Sequence, residues 1–238
     1  MKYSFCFFAA GILVLLAPPT SAIPVEVTIT GNVSAVSESG WSNVPPLGND
    51  VSVGDAFTAT MTFDPSGGAS YWYNDPWNAD WVQDRWSWNN SLTDLSFSTG
   101  NLFGGGPGGD FSYRLTEEFT DDWQVSDYHH YSQVRQNYST EVNFGDGTKI
   151  STGHFYYTLE AGYTTSIGGC SLWPSPKIGC LMNAGGWDTR RANIGAGQRG
   201  TVLANITDWT VVPEPASGLL ALLGISSLLT IRKKQASI

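Results

Sequence analysis

Aromatic side chains crowd into one short stretch of this sequence, and their spacing suits the binding of a sugar. Between Tyr71 and Trp88 stand five of the ten tryptophans, namely Trp72, Trp77, Trp81, Trp86 and Trp88. Sugar rings stack their C–H faces on such rings, while carboxylates nearby accept the sugar hydroxyl groups. The stretch is therefore a candidate carbohydrate-binding platform. Two other interpretations stay open. The rings fill the core of a domain with few aliphatic residues, which is their commoner use, or they form patches for self-association.

Two groups of carboxylates are candidates for calcium binding. The first lies among the tryptophans and consists of Asp75, Asp80 and Asp84, and the second consists of Asp121, Asp122 and Asp127. Calcium takes about six to eight oxygen ligands and often supports loops of extracellular β domains. Neither group has the spacing of an EF-hand loop, and solvated acidic faces are commoner. We therefore expect no cofactor, with calcium at the first group as the alternative.

Signatures of catalysis are absent from the sequence. It contains no Gly-x-Ser-x-Gly elbow, no His-Glu-x-x-His helix and no glycine-rich phosphate loop. Its three histidines are His129, His130 and His154, and the first two would face opposite sides of a strand. Glu117 and Glu118 meet the same objection as a glycosidase pair, because two such carboxylates must converge on one bond. We expect a protein that is not an enzyme, with a carbohydrate-active hydrolase as the alternative.

Short strands, rather than helices, are the elements that must position these residues. Apolar and polar residues alternate strictly from Phe57 to Phe63, which predicts a strand with one buried and one solvated face. Turns rich in Gly, Asn and Asp separate further runs of this kind, at 25–29, 95–97, 111–115, 142–144, 155–159 and 202–206. We predict one mainly β domain over residues 23–211, an antiparallel β-sandwich or jelly roll.

The N-terminus has the parts of a signal peptide. Lys2 precedes an uncharged apolar run over residues 5–17, and two prolines end that run. Small residues then follow up to Ala22, as signal peptidase requires. We therefore predict export, with residues 1–22 as a signal peptide and signal peptidase as a processing partner.

One cysteine pair remains after that cleavage. Cys6 leaves with the signal peptide, so that Cys170 and Cys180 are the cysteines of the exported chain. An even number of cysteines in an oxidising compartment predicts a disulfide. The bridge would close the short loop that holds Pro174 and Pro176, and would stabilise the fold by roughly 3 kcal/mol through lost chain entropy.

The exported part of the chain is acidic. Without Lys2 and the three C-terminal cations, eight of the 12 basic residues remain, against 20 acidic ones when Glu214 is set aside. The net charge of residues 23–212 is therefore near −12, against −9 for the whole sequence. Such a domain does not attract nucleic acid or anionic lipid through its overall field, so we expect no nucleic-acid partner.

The C-terminus also has three parts, a Pro-Glu-Pro motif, an uncharged stretch over residues 216–231 and a basic cluster. The motif and the cluster are formed by Pro213, Glu214, Pro215, Arg232, Lys233 and Lys234. A helix over 216–231 would be roughly 24 Å long, which is shorter than the roughly 30 Å of a hydrocarbon core. Snorkelling of the cations and local thinning of the bilayer can cover the difference. The cations favour a cytoplasmic end, which leaves the domain outside and agrees with the signal peptide.

This combination, over residues 212–238, resembles the PEP-CTERM sorting signal of Gram-negative bacteria that make extracellular polysaccharide. In that family the motif is recognised by an exosortase, a membrane-embedded, transpeptidase-like cysteine protease that cuts near it and releases the protein or transfers it to the surface. The resemblance implies an exosortase as a second processing partner. It implies nothing about what the preceding domain does.

These features predict an exported protein with a transmembrane helix over residues 216–231. That helix would hold it in the inner membrane before processing, and the product would then lie at the cell surface or outside the cell. For the domain over residues 23–211 we expect association with exopolysaccharide or with neighbouring cells, without catalysis. A hydrolase on a jelly-roll scaffold and a purely structural surface protein are the alternatives.

The sorting motif can be tested with one substitution. We expect Glu214→Ala to leave the chain unprocessed in the inner membrane, because the motif loses its only charge. Intact mass and cell fractionation measure the result, with Asp208→Ala as a control that removes a carboxylate outside the motif. Equal processing of Glu214→Ala and the unsubstituted chain would rule out a role for Glu214.

Overall fold

The computed structural model describes residues 24–41, 44–74, 81–119, 125–162, 167–171 and 176–213. Within these ranges no helix is long and apolar enough to cross a membrane. The predicted signal peptide (1–22) and transmembrane helix (216–231) lie outside them. Besides three single-turn 3₁₀ helices, the described ranges form one short α-helix, α1 (Ile178–Asn183), and eleven strands: β1 (Val25–Glu38), β2 (Ala56–Phe63), β3 (Ser70–Asn74), β4 (Trp81–Trp88), β5 (Leu92–Thr99), β6 (Leu102–Gly105), β7 (Asp110–Phe119), β8 (Val125–Asn143), β9 (Lys149–Ala161), β10 (Thr189–Gly195) and β11 (Gly200–Pro213).

All the strand pairings are antiparallel, and they join the strands into a single sheet. Eight strands close into a barrel in the order β8–β6–β5–β2–β1–β11–β10–β9, because β9 pairs again with β8. The remaining strands, β7, β4 and β3, extend outward from β8 as an open wing. The prediction of a mainly β, antiparallel fold is confirmed. The sheet closes on itself, however, and does not form the two separate layers that we expected of a sandwich.

The barrel closes because β8 is long enough to serve three neighbours. Along one edge it pairs with β9. Along the other edge its first half pairs with β7, and its last residues pair with β6. A sandwich and a barrel require the same alternation of buried and exposed side chains, so the sequence pattern could not separate them.

The predicted alternation is present in the strands. In β2 the side chains of Phe57, Ala59, Met61 and Phe63 are buried, while the threonines between them are more exposed. Aromatic rings extend this core into the wing, where Phe111 contacts both Phe63 and Trp88 at ring-centroid distances of 6.0 and 5.2 Å. The inner face of the wing therefore continues the core of the barrel.

A disulfide joins helix α1 to the segment over residues 167–171. Cys170 and Cys180 are bridged, with their Cα atoms 5.9 Å apart, as the sequence predicted. The helix buries Ile178, Leu181 and Met182 and packs against β1 and β11. Arg190 on β10 is also buried, and its guanidinium donates to the carbonyl oxygens of Met182 and Ala184 at 3.2 and 2.6 Å. The helix is thus joined to the sheet by both polar and apolar contacts.

A buried guanidinium joins three connections of the barrel. Arg199, in the turn between β10 and β11, donates to Asp50 at 2.9 Å and to Asp146 at 2.6 Å. Asp50 lies between β1 and β2 and also accepts the backbone N–H of Gly145 at 2.8 Å. Hydrogen bonds from Thr148 and Arg199 lower the pKa of Asp146 to about 2. Both carboxylates of this cluster therefore depend on Arg199.

The cluster predicts a large loss of stability for Arg199→Met. The substitution leaves the buried Asp50 carboxylate without its cation, which typically costs about 3–5 kcal/mol in the free energy of unfolding. Urea unfolding of the purified protein at pH 7 measures the difference. Arg191→Met, at an exposed arginine on β10, is the matched control and should change the free energy by less than about 0.5 kcal/mol. Equal effects of the two substitutions would contradict the role of the cluster.

Candidate functional site

The structure separates the clustered tryptophans into different environments. Trp86 and Trp88 are 1% and 4% exposed and belong to the core. They cannot form part of an exposed platform. Their burial agrees with the other interpretation of the stretch, in which the rings fill the core of the domain. Trp72 is 51% exposed at the edge of the wing. Trp77 and the side chain of Trp81 lie outside the described part of the chain.

The alternation along β3 and β4 explains this separation. Trp86 pairs across the strands with Tyr71, on the inner face, while Trp72 pairs with Arg85, on the outer face. Neighbouring residues of a strand point to opposite faces of the sheet. Trp72 and Arg85 therefore stand together on the outside of the wing.

The pair begins a row of side chains that crosses six strands. Each member lies directly opposite the next one in the register of the sheet, and together they form what we call the cross-strand row: Trp72, Arg85, Arg114, Tyr131, Glu160 and Thr189. At about 4.8 Å between strands, the row is about 24 Å long. It places aromatic, cationic and anionic side chains in one line across the outer face.

More side chains of the same type surround the row. Arg135 on β8 and Arg191 on β10 are exposed on the same face, and Tyr156 on β9 lies opposite Arg135. The Arg114 guanidinium lies 4.7 Å from the centre of the Tyr131 ring, and that of Arg135 lies 6.0 Å from the centre of the Tyr156 ring. We call this surface the arginine face, and define it by the cross-strand row together with Arg135, Tyr156 and Arg191.

A groove of about 570 Å³ runs along part of the arginine face. Four members of the cross-strand row line it, along with neighbours from β7 to β10. The lining residues are Arg114, Thr116, His129, His130, Tyr131, Glu160, Ala161, Gly162, Asp188 and Thr189. One wall carries a guanidinium on an aromatic ring, and the other carries the carboxylates of Glu160 and Asp188. The groove thus offers hydrogen-bond donors, acceptors and an apolar ring surface in one place, a combination found in ligand-binding sites.

The inner face of the wing carries a second polar cluster. Tyr71 donates a hydrogen bond to the buried Asp84 carboxylate, and a hydrogen bond of 2.7 Å joins the Tyr113 hydroxyl to His130 Nδ1. Burial and the Asp84 carboxylate raise the pKa of Tyr71 to about 12, so this phenol stays protonated and donates. Glu117 lies on the same face one strand away. Its pKa is raised by burial first and by the charge of Asp84 second.

The calcium prediction has no further support within the described residues. No group of three His, Cys, Asp or Glu side chains converges there to hold a metal ion. Asp84 faces the inner side of the wing and accepts the Tyr71 hydroxyl. Asp75 and Asp80 lie outside the described ranges, as do Asp121, Asp122 and the side chain of Asp127.

The chain matches no protein-family model, no curated protein and no solved structure. Sequence reasoning selected Trp72 but missed the arginines and tyrosines that surround it. A signal existed for Arg114, which lies on the polar side of the alternating run over residues 111–115, but Arg85, Arg135 and Arg191 lie outside such runs.

Proposed function

We propose that this chain is an exported surface or matrix protein whose β domain binds polysaccharide on the arginine face and performs no catalysis. The proposal includes a signal peptide over residues 1–22, a membrane helix over 216–231 and sorting by an exosortase at Pro213, Glu214 and Pro215. Such sorting would deliver the domain to a compartment where extracellular polysaccharide is present.

The observation that supports binding is the overlap between the cross-strand row and the groove. Trp72 and Tyr131 offer ring faces to the apolar side of a sugar. Glu160 and Asp188 accept sugar hydroxyls, and Arg114 donates to sugar oxygens. A row about 24 Å long fits a linear chain of several sugars, which then gains from several weak contacts at once.

Aromatic substitutions on and off the arginine face test this function. We expect Tyr131→Ala and Trp72→Ala each to weaken binding of polysaccharide extracted from the producing cells by about tenfold, or about 1.4 kcal/mol, because a stacking surface is lost. Trp41→Ala is the matched control, since Trp41 is 61% exposed and lies outside the face. Affinity electrophoresis or sedimentation with the full-length protein measures retention.

Two results would contradict this use of the face. Binding that is weakened equally by Trp41→Ala would show that any exposed ring contributes, without a defined site. No binding to the extracted polysaccharide at all would favour the purely structural role.

Glycoside hydrolysis is a second candidate, and one observation favours it. Asp84 and Glu117 lie on one face of β4 and β7 as diagonal neighbours, because Asp84 is opposite Leu115. Diagonal neighbours have Cα atoms about 7–8 Å apart. Side-chain rotation then allows carboxyl separations of about 6.5–9.5 Å, the range of inverting glycosidases. The raised pKa of Glu117 suits a general acid, and Asp84 would then act as the base.

The second candidate predicts release of reducing ends from the extracted polysaccharide. Glu117→Gln should lower that rate by about 10²-fold or more, because the proton donor is lost. Activity should also fall as the pH rises through the pKa of Glu117, since the acid form disappears. Glu141→Gln, at a half-exposed carboxylate on β8 that pairs with Lys149, is the control. Binding without release of reducing ends by the unsubstituted protein would reject hydrolysis.

A further inference from the structure

The few cations of the exported domain are unevenly distributed. Of its eight basic residues, Arg190 and Arg199 are buried within the fold, and Lys149 pairs with Glu141 at 3.3 Å. Lys177 lies in the segment before helix α1. The other four are the exposed arginines of the arginine face: Arg85, Arg114, Arg135 and Arg191. A domain with a net charge near −12 therefore presents half of its cations on one surface.

Two of these arginines are placed against each other. Arg85 and Arg114 are direct neighbours across β4 and β7 on the outer face. Like charges directly opposite each other destabilise a sheet. Among the side chains that the structure describes, carboxylates pair with Arg199 and Lys149, and none pairs with Arg85 or Arg114. Arg114 contacts the Tyr131 ring, but no described carboxylate neutralises either charge. An anionic ligand lying between the two guanidiniums would neutralise both.

We propose that the ligand of the arginine face is an acidic polysaccharide, a linear chain of sugars with carboxylate groups. This inference rests on the proposed polysaccharide binding and specifies the chemistry of the ligand. The Arg85 and Arg114 guanidiniums bind a sugar carboxylate through charge-assisted hydrogen bonds. The next sugar along the cross-strand row stacks on Tyr131, and Glu160 accepts a hydroxyl beyond it.

The composition of the row favours an acidic polysaccharide over a nucleic acid. A DNA duplex carries about one phosphate charge per 1.7 Å, so every part of the row would meet negative charge. Glu160 stands within the row and Asp188 beside it, and both carboxylates would repel such a backbone. A polysaccharide with spaced carboxylates can place a carboxylate against the arginines and its hydroxyl groups against Glu160 and Asp188. The acidic remainder of the domain would also confine any polyanion to this face.

A pair of matched polymers separates charge recognition from sugar recognition. The full-length protein would be titrated with polygalacturonate and with its fully methyl-esterified form, in EDTA to exclude calcium bridging. We expect polygalacturonate to bind at least tenfold more tightly, and its affinity to fall as NaCl rises from 50 to 500 mM. Arg85→Gln and Arg114→Gln should each lower this affinity by about tenfold or more. Lys177→Gln removes one charge outside the face and should have little effect.

The outcomes distinguish this inference from the function on which it rests. Equal affinity for both polymers, unchanged in the arginine variants, would overturn the acidic ligand and leave polysaccharide binding in place. Binding to neither polymer by a protein that still binds the extracted polysaccharide would overturn the acidic ligand alone, and no binding to any of the three would overturn both. Tighter binding of double-stranded DNA than of polygalacturonate would overturn the choice of polysaccharide, and equal losses with Lys177→Gln would show an effect of net charge without a defined site.

Discussion

The pairing of strand β8 along both of its edges is the constraint on which the rest of the structure depends. Its contacts with β9 on one edge, and with β6 and β7 on the other, both close the barrel and hold the wing. The Gln136 side-chain nitrogen supports this arrangement, because it lies 2.7–3.0 Å from the carbonyl oxygens of Gly106, Pro107 and Gly108 in the connection between β6 and β7. Without β8, no strand pairing in the described part of the chain would join the wing to the barrel.

The strands β4, β7 and β8 carry buried aromatic side chains on one face and exposed polar side chains on the other. On the inner side, β4, β7 and β8 place Trp86, Tyr113 and His130 in a buried aromatic series. On the outer side, the residues next to them in sequence form much of the arginine face. A shift of one residue in the register of a strand would exchange the two sets of side chains. The core therefore fixes the surface, because burial of the large rings specifies which residues remain outside.

The arginines show how environment decides the use of one residue type. Arg199 and Arg190 are buried, and each has several acceptors, so their guanidiniums hold separate connections together. Desolvation penalises a buried guanidinium, and only this complete set of partners offsets the penalty. Arg85 and Arg114 remain in solvent, where charge costs little and a ligand can reach it. The structural and the exposed cations of the domain are thus distinct sets.

Local patterns in the sequence determined the mainly β class, the buried side of strands such as β2 and the pairing of Cys170 with Cys180, because each depends on neighbouring residues or on the cysteine count alone. The signal peptide and the sorting tail are predictions of the same local kind. Closure into a barrel, the burial of Trp86 and Trp88, and the assembly of the cross-strand row were decided by the tertiary structure. Trp72 and Thr189 stand at the two ends of that row, and five successive strand pairings place them in one line. No local pattern encodes the order of those pairings.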